Sequence, residues 1–402
     1  MNILFVCRFL PHPWVRDSGG QDVYHYIAAL SERHSISLIS FVTPGQEEAV
    51  DSMRRLCEKV VAVPYRPDAL FARLWRAGWR LLLPRVYGRV FSLCYRKSLR
   101  DLLNHIPFDV VIVDGMMGQY GNLIHKAKKL LDEIDVYSVV AYHIYSNEKR
   151  CLSRMWAMLD WLKQQVFELQ YASSYDGVLV RSKEDQEFLK RFLPDQNIAV
   201  LLPWFEGLDT LLEITSHRPK GNRLLFLGAM NLPANVEAVH YFVQSVFPMI
   251  RQRVPDAEFY IVGGSPVPSV WRLTAVRGVV VTGEVEDLKP YYEHCAVNVV
   301  PLLRGGGIIV KTLNGMAAGR PTIATSWGNA GTGAQPGRDL IVVDEPELFA
   351  DAVIDLLTSR QLWREIATNG RRYVIDNFDW LNNIKSLEKT LQSMLGGTSE
   401  AN

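Results

Sequence analysis

Residues Pro301–Pro321 read PLLRGGGIIVKTLNGMAAGRP. An apolar run ends at Pro301, three glycines follow, and a helical pattern runs from Val310 to Ala318 before Gly319 closes it. Strand, glycine loop and helix in that order make one half of a βαβ unit. Glycines let the backbone come close to a ligand and take positive φ. A helix N-terminus presents unpaired N–H groups and about half a positive charge. Lys311, in the first turn or so, adds a full charge. Gly305, Gly306, Gly307 and Lys311 together suit a diphosphate, and an ordinary glycine turn ahead of a packed helix is the competing reading.

On both sides of this segment, apolar runs of strand length alternate with longer amphipathic stretches. That is the pattern of a parallel sheet with helices on both faces. In the C-terminal half, 224–227, 258–262, 279–282, 298–301, 321–324 and 340–343 read as strands, and 236–253, 288–294, 310–318 and 346–357 as helices. In the N-terminal half, 3–7, 35–41, 110–113, 136–141, 177–180 and 199–201 read as strands, and 21–33, 119–131, 148–173 and 184–192 as helices. The fold class is α/β, with two Rossmann-like domains over 1–210 and 217–378 joined near 205–220. Open sheets of this kind bind ligands beyond the C-terminal ends of their strands.

Composition narrows the function. The chain has 402 residues, 48% of them apolar and 22% charged, and a net charge of +1. No global field points to nucleic acid. The five cysteines, Cys7, Cys57, Cys94, Cys151 and Cys295, form no Cys-x-x-Cys pair. They read as buried small apolar residues in a reducing cytoplasm. The start, MNILFVCRFLPHP, is broken by Arg8 and reads as a first strand rather than a signal peptide. No apolar run of ~18 residues is present to span a bilayer.

The first strand also leads into glycines, Asp17-Ser18-Gly19-Gly20, ahead of a helix from Gln21. Gly19 and Gly20 are candidates to face the same phosphates. Their spacing is not Gly-x-Gly-x-x-Gly and no acidic residue ends the second strand, which argues against a nicotinamide enzyme. No Gly-x4-Gly-Lys-Ser/Thr is present, which argues against a P-loop ATPase. The chain holds no Asp-x-Asp, no His-Glu-x-x-His and no close His/Cys cluster, so no metal and no cofactor is expected.

These residues resemble a known family, the retaining GT-B glycosyltransferases called glycosyl transferases group 1, or family 4. LFLGAMNLPANVEAVHYF (Leu225–Phe242) is similar to the first strand and helix of their donor domain, and PDAEFYIVGG (Pro255–Gly264) to the second strand. VTGEVEDLKPYYEHCAVNVVPLLRGGG (Val281–Gly307) continues in register, and KTLNGMAAGRPTIATSWG (Lys311–Gly328) matches the segment that usually reads Lys-x-Leu-Glu-Ala-Met-Ala-x-Gly-x-Pro-Val. The N-terminal half matches more loosely. The resemblance implies a GT-B fold, with parallel sheets facing across a cleft and residues 379–402 packing back on the first domain. It implies a nucleotide-diphosphate-sugar donor in the C-terminal domain and a glycan or lipid-linked acceptor held mainly by the N-terminal domain. Lys311 would neutralise the diphosphate, Gly283, Glu284 and Val285 would lie along the nucleobase, Asn314 would reach the ribose, and His143 would sit near the reacting sugar.

The chain departs from that pattern in places that bear on activity. Asn314 stands where the family keeps a ribose-binding glutamate, Gly306 where the wider family has glutamate, and Ile308-Ile309 in place of Thr-Arg. Ala141-Tyr142-His143-Ile144 replaces Asp-x-His-Asn, and Ala330 lies where relatives have glutamate. An amide in place of the carboxylate gives up a charge-assisted bond, worth roughly 1–2 kcal/mol more than a neutral one. A catalytically silent partner subunit is therefore an alternative to an active hexosyltransferase, and a sugar-nucleotide epimerase is a more remote one. His143 also reads as a plain buried histidine. The stretch 69–100 holds eight Arg/Lys and no Asp or Glu, with Trp75, Trp79, Tyr87, Phe91 and Tyr95 interleaved. It reads either as a membrane surface, giving a peripheral protein at the inner face, or as a helix pair with solvated arginines. Trp156 and Trp161 read as packing residues rather than sugar platforms.

Overall fold

The computed structural model describes residues 1–15, 18–65, 84, 87, 90–134, 136–148, 150–204, 207–304 and 308–396. The chain divides into two compact units, one of 1–204 with 380–402 and one of 205–379.

The first unit contains β1 (Asn2–Phe9), α1 (Ser18–Ser31), β2 (Ser35–Val42), α2 (Glu47–Arg54), β3 (Lys59–Pro64), α3 (Leu93–His105), β4 (Val110–Asp114), β5 (Lys128–Glu133), α4 (Tyr137–Asn147), α5 (Cys151–Ser173), β6 (Gly177–Val180), α6 (Lys183–Phe192) and β7 (Ile198–Val200). Its seven strands are ordered β3-β2-β1-β4-β5-β6-β7, all parallel. Alternate residues of β1 feed opposite faces. Leu4 and Val6 join one core with Ile39, Val111 and Val113, while Ile3 and Phe5 join the other with Leu38, Val110 and Ile112. Burial on both faces is why such strands read as continuous apolar runs.

Two expectations fail here. Residues 119–131 are not a helix: a 3-10 turn covers Gly115–Leu123 and β5 begins at Lys128. Residues 136–141 are not a strand: they open α4. Local β-branched content is overridden by a distant contact, because the Glu168 carboxylate of α5 accepts the Ser138 N–H (3.2 Å) and satisfies the N-terminus of α4.

The second unit contains α7 (Leu208–Leu212), β8 (Arg223–Leu227), α8 (Pro233–Tyr241), α9 (Phe247–Arg253), β9 (Glu258–Val262), α10 (Pro268–Trp271), β10 (Val279–Gly283), α11 (Lys289–His294), β11 (Val297–Val300), α12 (Val310–Ala317), β12 (Thr322–Ala324), β13 (Ile341–Val342), α13 (Pro346–Thr358) and α14 (Arg360–Asn377). Its parallel strands run β10-β9-β8-β11-β12-β13, the order of a dinucleotide-type Rossmann sheet. The helix expected over 236–253 is interrupted by a π segment, Phe242–Val246, just before Pro248. Proline has no N–H to donate and its ring crowds the carbonyl four residues back, so the backbone widens there. After this unit, α15 (Trp380–Met394) returns to the first, where Ile384, Leu387 and Leu391 complete the core beside Ile3 and Phe5.

Candidate functional site

In each sheet the strand order reverses beside the first strand of the unit, and ligands of open α/β sheets bind at that switch point, beyond the carboxyl ends. In the second unit it lies between β8 and β11, where α8 and α12 begin. α12 starts at Val310 with no side-chain cap, and its Val310 and Thr312 N–H groups donate to the Ile308 and Ile309 carbonyls (3.1 and 3.0 Å). Lys311, one residue in, is half-buried. Its ammonium donates to Asn235 Oδ1 of α8 (2.5 Å) and lies 4.8 Å from the Phe226 ring centroid. Burial lowers its pKa to about 8, and no carboxylate among the described residues pairs with it. A desolvated cation beside an uncapped helix start is a charge arrangement that an anion completes.

The backbone around it is shaped for close approach. A Cβ on Gly228 would stand 2.7 Å from Asn235 Nδ2 and 3.2 Å from Lys311 Nζ. Gly263, at φ +141, lies so close to Gly228 that a Cβ there would overlap the Gly228 carbonyl oxygen. Gly283 ends β10 at φ +73 and its carbonyl accepts the Gly263 N–H (3.1 Å). Three neighbouring strands thus end in glycines at the same edge of the sheet.

Beneath α12, Asn298 of β11 donates to the Lys311 carbonyl and to Thr322 Oγ1, each at 3.3 Å. Its amide occupies the space that a Cβ on Gly315 would need. Thr312 Oγ1 donates to the Gly328 carbonyl (2.5 Å). These contacts fix the helix that carries Lys311. Asn314, one turn on, is half-buried, with Oδ1 enclosed and without a hydrogen-bond partner. Tyr292 lies beside it. Burial pushes that phenol well up, and the Asn314 side chain opposes the rise.

Of the residues singled out from sequence, the second unit places Ile308 just before α12, Lys311 in its first turn and Asn314 in its second, Gly283 at the end of β10, and Glu284 and Val285 directly after it. Gly305, Gly306 and Gly307 lie outside the described residues. Asn235, Asn298, Gly228 and Gly263 were not foreseen. A polar residue following Pro233 at the start of α8, and a paired glycine at the end of β9, were the available signals.

In the first unit the switch point lies between β1 and β4. Gly19 and Gly20 sit in the first turn of α1, which starts at Ser18 rather than Gln21. Asp114, at the end of β4, accepts the Arg8 N–H (3.4 Å) and the Met116 N–H (3.0 Å). Burial raises its carboxyl to about 6 against the pull of Arg8. Next to it is a buried triad. Arg181 of β6's C-terminal edge pairs with Asp132 (2.7 Å) and with Asp22 of α1 (3.3 Å). Asp22 also accepts the Trp204 N–H (2.8 Å), and burial raises its pKa to about 7 although Arg181 opposes the shift. His143 belongs to the second turn of α4, not to a strand end. Of 69–100, residues 69–83, 85–86 and 88–89 lie outside the described residues. No helix of the described residues is long and apolar enough to cross a membrane, and no three His, Cys, Asp or Glu side chains among them converge on a metal-sized site.

Known proteins repeat this plan. Residues 221–359 match the family of glycosyl transferases group 1. An uncharacterized 44.6 kDa protein in the cps region of Klebsiella pneumoniae is 23% identical over 94% of this chain and 96% of its own length. A GDP-mannose-dependent alpha-(1-6)-phosphatidylinositol monomannoside mannosyltransferase of Mycolicibacterium smegmatis is 30% identical over 38% of this chain and 43% of its own. Among solved structures, sucrose-phosphate synthase from Thermosynechococcus elongatus matches with a TM-score of 0.69 at 16% identity, covering 98% of this chain and 99% of that one. Anabaena HepE in complex with UDP matches with a TM-score of 0.67 at 13% identity, covering 98% of this chain and 100% of that one. These structures share the fold. The chain has two Rossmann-like units with the fold of these structures, and residues 221–359 of its second unit match glycosyl transferases group 1.

Proposed function

We propose that this chain moves a sugar, with retention, from a nucleotide-diphosphate sugar to a glycan or lipid-linked acceptor in cell-surface polysaccharide assembly. The observation that supports it most is Lys311: a desolvated ammonium at an uncapped helix start, on a glycine-lined switch point, with no carboxylate of its own. A diphosphate placed there meets the Lys311 ammonium and the positive end of the α12 dipole, and the same charges stabilise the one that grows on the leaving phosphate. Ile308 is assigned to that phosphate approach, as are Gly305, Gly306 and Gly307 from the sequence alone, Gly283–Val285 to the base and Asn314 to the ribose. The reading needs no metal, because helix and lysine take the charge. In a cytoplasmic enzyme of this kind His143 is assigned to the reacting sugar, and Gly19 and Gly20 to the donor phosphates. The relative from a cps region and the mannosyltransferase relative are consistent with this role.

The test is a thermal-shift panel of UDP, GDP, TDP, ADP and CMP and their common sugars. A ligand at a hundredfold excess over Kd adds about 2.7 kcal/mol of apparent stability. A shift with one diphosphate that disappears in Lys311→Ala supports transfer and names the base. No shift at millimolar nucleotide turns the reading to a silent partner subunit, a role that the enclosed Asn314 Oδ1 would suit. Release of free epimerised sugar nucleotide would point to an epimerase.

A further inference from the structure

α5 is amphipathic in the reverse sense. Its inward side carries Gln164, Glu168 and Ala172, all buried. Its outward side carries Leu152, Met155, Leu159, Leu162 and Val166, spaced three and four apart, with Trp156 alongside. Leu152 is 73% exposed, Val166 63%, Trp156 49%, Met155 45%, Leu162 43% and Leu159 40%. This ridge runs about 20 Å along the helix. It leaves on the order of 600 Å² of apolar surface in water, at the upper end for a monomeric soluble protein. Next to it on α4, Ile144 is 61% and Tyr142 45% exposed, and Tyr142 packs on Trp161.

We propose that this α4–α5 ridge docks the first unit on an anionic lipid bilayer. Three observations favour lipid over a second copy of the chain. First, the ridge starts at a cationic end: Arg150 and Arg154 are exposed, and Arg154 lies 5.2 Å over the Tyr145 ring. Second, aromatic rings cluster at its margin, with Tyr145 stacked on Trp161 at 5.6 Å. Indole and phenol rings of this kind favour the headgroup layer. Third, the positions flanking the seam are Trp156, Met158, Lys163 and Gln165, which offer no matched charges to set the register of a helix pair. Tyr87 packs its ring on Phe167 and Tyr171 of the same helix. Apolar burial and attraction to acidic headgroups then act together.

The test is co-sedimentation of the full-length protein with phosphatidylglycerol-rich vesicles and with pure phosphatidylcholine vesicles. The wild type is expected to bind the anionic vesicles and to be released by salt. A variant with Leu152→Gln, Met155→Gln, Trp156→Gln and Val166→Gln is expected to bind at least about tenfold more weakly, with an unchanged melting temperature because all four side chains are exposed. Leu348→Gln with Ile375→Gln, also exposed but on the second unit, should bind as the wild type does. Absence of wild-type binding, or equal binding by the quadruple variant, overturns the proposal. So does light scattering that shows a wild-type dimer split by the same four changes, because a second copy then covers the ridge. Vesicle binding is read without nucleotide, so its failure is separable from failure of the donor site.

Discussion

Replacing Lys311 by methionine separates a lysine that binds ligand from one that holds the fold. Its pKa falls from 10.5 to about 8 through burial. That difference corresponds to about 3 kcal/mol of desolvation at neutral pH, trimmed to roughly 2 by the solvent that reaches a half-buried side chain. Methionine removes this cost but leaves Asn235 Oδ1 without its donor, about 1 kcal/mol, and gives up the Phe226 ring contact, about 1 more. The terms nearly cancel. The apo protein should therefore melt within about 4 °C of the wild type, while the shift with nucleoside diphosphate disappears. The folded pKa lies below the ordinary value, so the desolvation cost is complete below about pH 8 and fades as pH rises towards 10.5. Wild type should gain stability over the methionine variant across that window. Diphosphate binding holds the proton on Lys311, so nucleotide Kd should be flat below about pH 8 and rise towards tenfold per pH unit above it. Differential scanning fluorimetry and calorimetric titration from pH 6.5 to about 9.5 measure both effects. A methionine variant destabilised by more than about 3 kcal/mol, or one that still binds nucleotide, would show that the lysine is structural.

Asp22→Asn should gain stability relative to wild type as pH rises from about 4 to about 7 and hold that gain above. The buried carboxyl keeps its proton up to about 7 while the unfolded one loses it near 4, so the wild type loses stability between those values and no further above them. Urea midpoints that differ by the same amount at pH 5 and pH 8 would refute this. Arg181→Met strips the partner from two buried carboxylates and should cost about 3–5 kcal/mol by the same measurement. Gly263→Ala should cost about 3 kcal/mol or more, because its Cβ meets backbone at a φ that side chains rarely adopt. Gly228→Ala meets only the movable ends of Asn235 and Lys311, so it should spare stability and weaken nucleotide binding about tenfold; the reverse order in melting and titration would contradict the geometry. Asn314→Glu puts a carboxylate one turn from Lys311, so the rise of nucleotide Kd above pH 8 should flatten; an unaltered pH profile would place residue 314 away from the phosphate.

The second unit was the more legible half because its strands are continuous apolar runs. Glu258–Val262 was read to the residue, and the others to within one or two residues at either end. The first unit hid β5. Its sequence, KKLLDE, looks like a helix surface because only Leu130 and Leu131 are apolar. Asp132 and Glu133 are nonetheless almost fully buried, Asp132 through its pair with Arg181, which lies 49 residues later in the chain. Pattern reading treats charges as solvent-facing and does not see partners that distant. β3 went unread for another reason: it is a half-exposed edge strand ending in proline, where the apolar signal is thin.

The site divides along the same line. The glycine loop and Lys311 are contiguous in the sequence, so their chemistry could be read without a fold. Asn235, which orients the Lys311 ammonium, is 76 residues away and reaches it only because β8 and β11 are neighbours in the sheet. Asn298 supports α12 from below for the same reason. The substitutions at 308, 309 and 314 looked from sequence like losses at the mouth of an anion site. In the structure the lysine's cost of burial is offset by Asn235 and Phe226 rather than by any acidic side chain. A carboxylate at the mouth would neutralise that lysine before substrate arrived. A mouth poor in carboxylates keeps the positive charge available for a diphosphate, and it makes residue 314 a place where affinity can be tuned without dismantling the site.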